Sequence, residues 1–250
     1  MHLSGRQFFK VLIVSILILN CEFLQAQDSY TQKQFWPQVD AYYRLNTRFR
    51  LYGAVSGTRS NSQYTDGTSG IYVDHFALPW LRGRRDVTEM SDSARGYYLW
   101  FRTGYSYSDA PANQKKKDVN LWEMEGNSYF HLPENVVMVL RNRFDWRWVN
   151  GVFQPIYRLR LKLVRNFKTE YLTFNGYIWS EYFFYLNDNS QDRLRICFGT
   201  EIKVARFLTF ETYYLYQFPH KSYVNSINVI AMQFNFYFST KNYKRGLSKK

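Results

Sequence analysis

Cysteine is nearly missing from this chain, with 2 in 250 residues. Cys21 lies in the N-terminal segment, and Cys197 stands alone in the remainder. That excludes an internal disulfide and a thiolate metal cluster beyond the first segment. Long apolar runs are missing too. No stretch of about 18 apolar residues could cross a bilayer as a helix, and mean hydropathy is −0.45. Histidine is scarce, and beyond the leader it occurs only at His75, His131 and His220. No metal-ligand spacing and no glycine-rich phosphate loop is present, so neither a metal nor any other cofactor is expected. No break in composition divides the chain into two halves.

What is abundant is aromatic. Phe, Trp and Tyr make up 20% of the chain, heavy for a soluble domain and usual for a membrane barrel with aromatic girdles. Net charge is +13, which raises nucleic acid as a partner. The bases are spread through alternating segments instead of forming a patch. Many others sit in Lys115–Lys117 and in the tail from Lys241 to Lys250, so no nucleic-acid contact is expected.

The N-terminus reads as an export signal. Arg6 and Lys10 precede an apolar stretch from Val11 to Leu19, too short to span, and Leu24-Gln25-Ala26 offers a small residue for cleavage before Gln27. Lipidation at Cys21 is the alternative fate, and Asn20 is a poor residue before a lipidated cysteine. The expected division is therefore a signal peptide over 1–26, a barrel over 27–238 and a basic periplasmic tail over 239–250.

Period-two alternation dominates the remainder. From Leu140, the charged Arg141, Arg143, Asp145 and Arg147 alternate with apolar Leu140, Phe144, Trp146 and Trp148. Successive side chains of an extended strand point to opposite faces. The pattern recurs. Glu123 and Glu125 oppose Trp122 and Met124, and Arg158, Arg160 and Lys162 oppose Leu159, Leu161 and Leu163. Arg193, Arg195 and Glu201 oppose Leu194, Ile196, Phe198 and Ile202, while Glu211 opposes Phe210 and Tyr214. Glu181 is the sole charge of its segment. Both faces are extreme, so the apolar face is expected to touch lipid and the charged face to line a lumen. Eleven such segments can be counted. Bacterial barrels normally use an even number of strands, so the expectation is a closed, antiparallel, up-and-down transmembrane β-barrel of about twelve strands, with ten as the fallback. Residues 59–70, rich in Ser, Thr, Asn and Gly, and 82–93, charged and aperiodic, read as loops.

These residues resemble a family. Tyr43-Arg44-Leu45, Asn120-Leu121-Trp122-Glu123, Arg141-Asn142-Arg143-Phe144, Tyr157-Arg158-Leu159-Arg160-Leu161, Glu181 and Asp192-Arg193-Leu194-Arg195 are similar to the domain-of-unknown-function 2490 family of outer-membrane beta-barrel proteins. The resemblance implies a fold and a location in the bacterial outer membrane, with no activity attached. It also implies that Ile227–Phe238, ending in an aromatic residue, is the strand read by the barrel-assembly machinery.

The candidate site is the set of lumen charges: Glu123, Glu125, Arg141, Arg143, Arg147, Arg158, Arg160, Lys162, Glu181, Arg193, Arg195, Glu201 and Glu211. Consecutive strands of an up-and-down barrel are neighbours, so acids and bases can pair and fill a narrow lumen. Alternatively Arg141, Arg143, Arg158 and Arg160 form a constriction that favours phosphate or carboxylate solutes. The expected role is a small passive pore or a structural membrane component. A lipid-modifying hydrolase or acyltransferase would need a histidine with a partner, and only Asp74 with His75 offers one. A soluble lipocalin-like barrel is the third reading, in which the aromatic face would be a buried core.

Overall fold

Alternation of β-branched and aromatic residues with polar ones suits a pleated surface that meets a different medium on each side. The computed structural model describes residues 31–60, 63–77, 99–109, 118–169, 173–187, 192–218 and 226–239. It is all-β, and its strands are β1 (Thr31–Arg44), β2 (Phe49–Ser60), β3 (Gln63–Ala77), β4 (Leu99–Asp109), β5 (Val119–Leu132), β6 (Val136–Val149), β7 (Val152–Phe153), β8 (Ile156–Lys168), β9 (Thr173–Tyr185), β10 (Arg193–Ala205), β11 (Leu208–Gln217) and β12 (Ser226–Ser239). Consecutive strands pair in antiparallel fashion, with β6 pairing both β7 and β8, and the sheet closes on itself.

Among the described residues the sheet has twelve strands, of which eleven traverse the wall. β7 continues β8. Trp148 pairs with Phe153 and Asp145 with Ile156 in one unbroken register. The interruption falls at Gln154-Pro155, where Pro155 has no N–H to offer the ladder. Eleven spanning strands are joined by ten antiparallel steps, and an even number of reversals brings the first and last strands together pointing the same way. Accordingly β1 and β12 close the barrel in parallel, from Thr31↔Ser226 to Arg44↔Ser239. The eleven segments visible in the sequence are thus the spanning strands, and the short β7 brings the sheet to the expected count of about twelve. Full antiparallelism fails at this single seam.

A second correction concerns residues 59–70. β2 and β3 pair through Thr58↔Asp66 and Ser60↔Gln63, so this polar segment is a hairpin and not a loop. Its Thr and Ser side chains are compatible with a strand, and their polarity places the hairpin beyond the apolar band.

The connections differ by end. One end carries the tight turns at 45–48, 133–135 and 206–207. At the other lie the longer connections 110–118, 186–192 and 218–225. Ala77 and Leu99, which bracket 78–98, lie at the tight-turn end. Two turns use left-handed residues, Glu134-Asn135 with φ 59 and 58, and Asn150-Gly151 with φ 49 and 80. Such pairs match the twist of a hairpin. β1 enters at the long-loop end and β12 leaves at the tight-turn end.

The outer surface carries the large exposed apolar residues. They include Val55 (62%), Ile71 (75%), Trp122 (54%), Ile178 (50%) and Phe198 (56%). The inner surface is polar and buried, with Asp74 and Glu181 at 0% and Glu123 and Glu125 at 3%. This is a globular protein turned inside out, the distribution a membrane barrel requires and the reverse of a soluble one. Leu194, Ile196, Phe198, Phe210, Phe234 and Phe236 fall on the strand positions that alternate with the buried inner residues. The remaining thiol, Cys197, is fully buried and unpaired in mid-strand, a packing residue as its sequence position suggested. Among the described residues no helix is long and apolar enough to cross a membrane.

Candidate functional site

Cross-strand register puts like charges face to face on the inner wall. Arg141 of β6 lies opposite Arg160 of β8, and Arg143 opposite Arg158. Directly opposed like charges destabilise a sheet, so each pair needs a carboxylate. Glu181 of β9, itself opposite Arg160, supplies the first. It accepts from Arg141, from Arg158 at 2.9 Å and from Arg160 at 3.0 Å. Asp145 supplies the second, taking Arg143 Nε at 2.5 Å and Arg158 at 3.4 Å. Glu123 holds Arg143 at 2.5 Å and Glu125 holds Arg141 at 3.5 Å. The result is a continuous belt across β5, β6, β8 and β9.

A further hub lies on β3. Asp74 binds Arg102 of β4 through two contacts of 2.7 and 3.2 Å, and Arg50 of β2 at 2.6 Å. The sequence reading missed this hub. Its signal is partial: Arg50 lies between Phe49 and Leu51, but Asp74 is flanked by His75 and Arg102 by Thr103, and the strand from Ile71 is the weakest of the series. The Asp74–His75 pair considered for catalysis does not form. Adjacent strand residues point to opposite faces. Asp74 is committed to two guanidinium groups, and the His75 ring stacks on Phe49 with centroids 5.0 Å apart.

Of the candidate residues, Glu123, Glu125, Arg141, Arg143, Arg158, Arg160 and Glu181 join one network. Lys162, Arg195 and Glu211 line the same lumen without belonging to the belt. Lys162 Nζ sits 3.8 Å over the Tyr177 ring, Arg195 lies over Phe183 at 4.5 Å, and Glu211 accepts from the Tyr177 hydroxyl at 2.5 Å. Arg147, Arg193 and Glu201 are not brought to this cluster. Arg193 lies over Tyr185 at the start of β10, and Glu201 is buried opposite Glu211.

Facing the belt is a wall of another kind, built from β10, β11, β12 and β1. Cys197, Leu215, Val229 and Ala231 are buried there with Tyr177 and Trp179 of β9 and Val164 of β8. Its polar groups are mainly amides. Gln233 donates to Asp40 at 2.7 Å and to Asn235 at 2.7 Å, and Arg195 donates to Gln217 at 2.8 Å. Four tyrosines stack across the parallel seam in one row, Tyr237 on Tyr42, Tyr42 on Tyr52 and Tyr52 on Tyr72, with centroids 4.6 to 4.9 Å apart. The row ends at Gly104, opposite Tyr72, where any side chain would run into the Tyr72 ring and the Ile71 carbonyl.

The lumen holds two chambers. The larger, of about 420 Å³, lies toward the long-loop end between Trp36, Ser56, Thr68 and Ser108. The smaller, of about 180 Å³, lies toward the tight-turn end beside Trp100, Tyr129, Val137 and Val139. They share Arg102, Glu125, Arg141, Arg160 and Lys162 as lining, so the charged belt separates them. Trp100, Tyr129, Val137 and Val139 of the smaller chamber's lining join Phe76 in a buried apolar cluster, with the Arg44 guanidinium 3.7 Å over Phe76. Among the described residues no group of His, Cys, Asp and Glu could hold a metal ion.

A closed sheet with an apolar exterior and an ion-paired interior defines a transmembrane β-barrel. Residues 33–228 match the family model described as a protein of unknown function, DUF2490, and the chain belongs to that family. No curated protein matches the chain. Among solved structures it is similar to the beta domain of the Bordetella autotransporter Brka, at 12% identity over 75% of this chain and 81% of that one, with a TM-score of 0.41. It is also similar to the outer-membrane expressed OmpT of Vibrio cholerae, at 10% identity over 72% and 61%, with a TM-score of 0.34. A loop L8 deletion mutant of the latter gives 10% over 73% and 83%, with 0.32.

Proposed function

We propose that this protein is an exported barrel of the bacterial outer membrane whose lumen is closed at rest, a structural membrane component in preference to an open pore. The observation that carries this reading is the apolar cluster of Phe76, Trp100, Tyr129, Val137 and Val139, contributed by β3 to β6 and buried inside the barrel at the tight-turn end. A water-filled conduit has no reason to bury aromatic and branched side chains in its own path. The belt above supports the same conclusion. Its carboxylates are each bound by one to three guanidinium groups, so widening it would separate charges in a confined space. The alternative enzyme reading has lost its acid–histidine pair. The soluble lipocalin-like reading would require the exposed apolar exterior to be a core.

Export proceeds through residues 1–26, the mature chain begins at Gln27, and 239–250 hangs in the periplasm. β12 ends at the tight-turn end beside Arg44, which fits that tail. The strand from Ile227 to Phe238 closes the barrel against β1 and is the segment the assembly machinery engages. Two measurements test this. The protein is expected to fractionate with the outer membrane and to change gel mobility on heating. Proteoliposomes containing it are expected to swell in small sugars and amino acids no faster than protein-free liposomes. A soluble periplasmic species, or rapid swelling, contradicts the reading.

A further inference from the structure

We infer that the larger chamber is a binding site for a small organic anion, a carboxylate or phosphate attached to a flat apolar group. The chamber's lining contains seven cationic side chains and three carboxylates. The balance is uneven because of depth. In the belt the guanidinium side chains keep 13 to 21% of their surface accessible, and the carboxylates they hold keep 0 to 6%. Asp145 and Glu181 do not reach the chamber wall at all. A solute entering it therefore meets seven cations against three carboxylates, a clear positive excess.

Donor capacity remains on those groups. Arginine has five N–H donors. Arg141, Arg158 and Arg160 spend their terminal nitrogens on Glu125, Asp145 and Glu181, while the buried Nε of each has no acceptor among the described residues. Those Nε atoms are closed to solute, but the accessible edges of the guanidinium groups can donate charge-assisted bonds to an oxyanion. The opposite side of the chamber contributes Trp36, Trp179, Tyr213 and Leu215. Arg160 lies 3.9 Å over the Trp179 ring, so cation and aromatic surface already meet at one place. A volume of about 420 Å³ falls within the range of small-molecule sites, which commonly pair apolar walls with a few placed polar groups. The chamber and the apolar cluster lie on opposite sides of the belt, so binding in the one and closure by the other are separate claims. A conductance result decides only the second.

The test is calorimetric titration of the purified full chain in detergent with phenyl phosphate, inorganic phosphate and phenol. Phenyl phosphate should bind more tightly than either fragment. The double variant Lys162→Gln with Arg195→Gln should weaken phenyl phosphate at least tenfold while keeping the heat-dependent gel shift. Replacing Arg165, a half-exposed base outside the chamber lining, with Gln should change nothing. Absence of binding, phenol binding as well as phenyl phosphate, or an unchanged affinity in the double variant would overturn the proposal. Should the double variant fail to assemble, the wild-type chain decides. Affinity that falls steeply with added chloride supports a cationic site, and affinity indifferent to salt overturns it.

Discussion

The two walls of the lumen solve one problem differently. From β2 to β9 the inner face is held by guanidinium–carboxylate pairs around Asp74, Asp145 and Glu181. From β10 through β12 to β1 it is held by amide hydrogen bonds and by packing around Leu215, Val229 and Ala231. Each arrangement satisfies buried polar groups, but they fail differently. An amide network that loses a member leaves neutral groups short of a partner. An ion-pair belt that loses its acid leaves several positive charges confined together. Brittleness therefore belongs on the charged wall. The parallel seam between β1 and β12 sits in the tolerant wall, where the tyrosine row crosses it.

This contrast can be broken by substitution, and the largest effect is expected at Glu181. Glu181→Ala leaves Arg141, Arg158 and Arg160 without their common acceptor. Removing one partner of a buried pair costs about 3–5 kcal/mol, so the folded, heat-modifiable band should fall sharply and the urea midpoint should drop. Stability near wild type would mean that the belt is not what holds this wall. Next comes the lipid side. Phe198, 56% exposed on the outer face, replaced by Arg should lose about 2–4 kcal/mol if it sits at the bilayer midplane. The smallest effect is expected in the neutral wall. Gln233→Arg places a base beside Asp40, which Gln233 now contacts at 2.7 Å, and should be accommodated within about 1.5 kcal/mol, the scale of one hydrogen bond. Refolding titrations of the two arginine variants side by side check the face assignment, and equal losses would refute it.

Much of this was legible in the chain because lipid outside and charge inside make each strand a clean two-sided pattern. Arg141 to Trp148 gives both faces directly, and the eleven alternating segments are the spanning strands. Three things were not legible. The parallel closure depends on how many strands exist, a global property that no single strand carries. The hairpin through residues 59–70 is polar on both faces, so alternation has nothing to mark. The apolar cluster at the tight-turn end was hidden because lumen-facing Trp100, Tyr129 and Val137 have the same chemistry as lipid-facing residues. One clue was present there. Val136-Val137-Met138-Val139 has no polar face, and alternation begins only at Leu140. In a strand with lipid on one side, that can only mean an apolar interior as well.

The belt's charges were visible individually, but their pairing was not. The sequence suggests Glu123 and Glu125 against Arg141 and Arg143, and that is what forms. That Glu181 serves three arginines from two other strands follows from register and reach across the lumen. Asp74 is poorly marked, because the polar His75 beside it blurs the two-sided pattern of its strand.

Closure of the lumen is the central claim, and single-channel recording in planar bilayers tests it most directly. The wild-type protein should insert without steady conductance, whereas a variant in which Val137 and Val139 are both Ser and Trp100 is Ala should conduct ions, with anions preferred over cations. Stable, ohmic, long-lived openings of the wild type at low voltage would contradict the account.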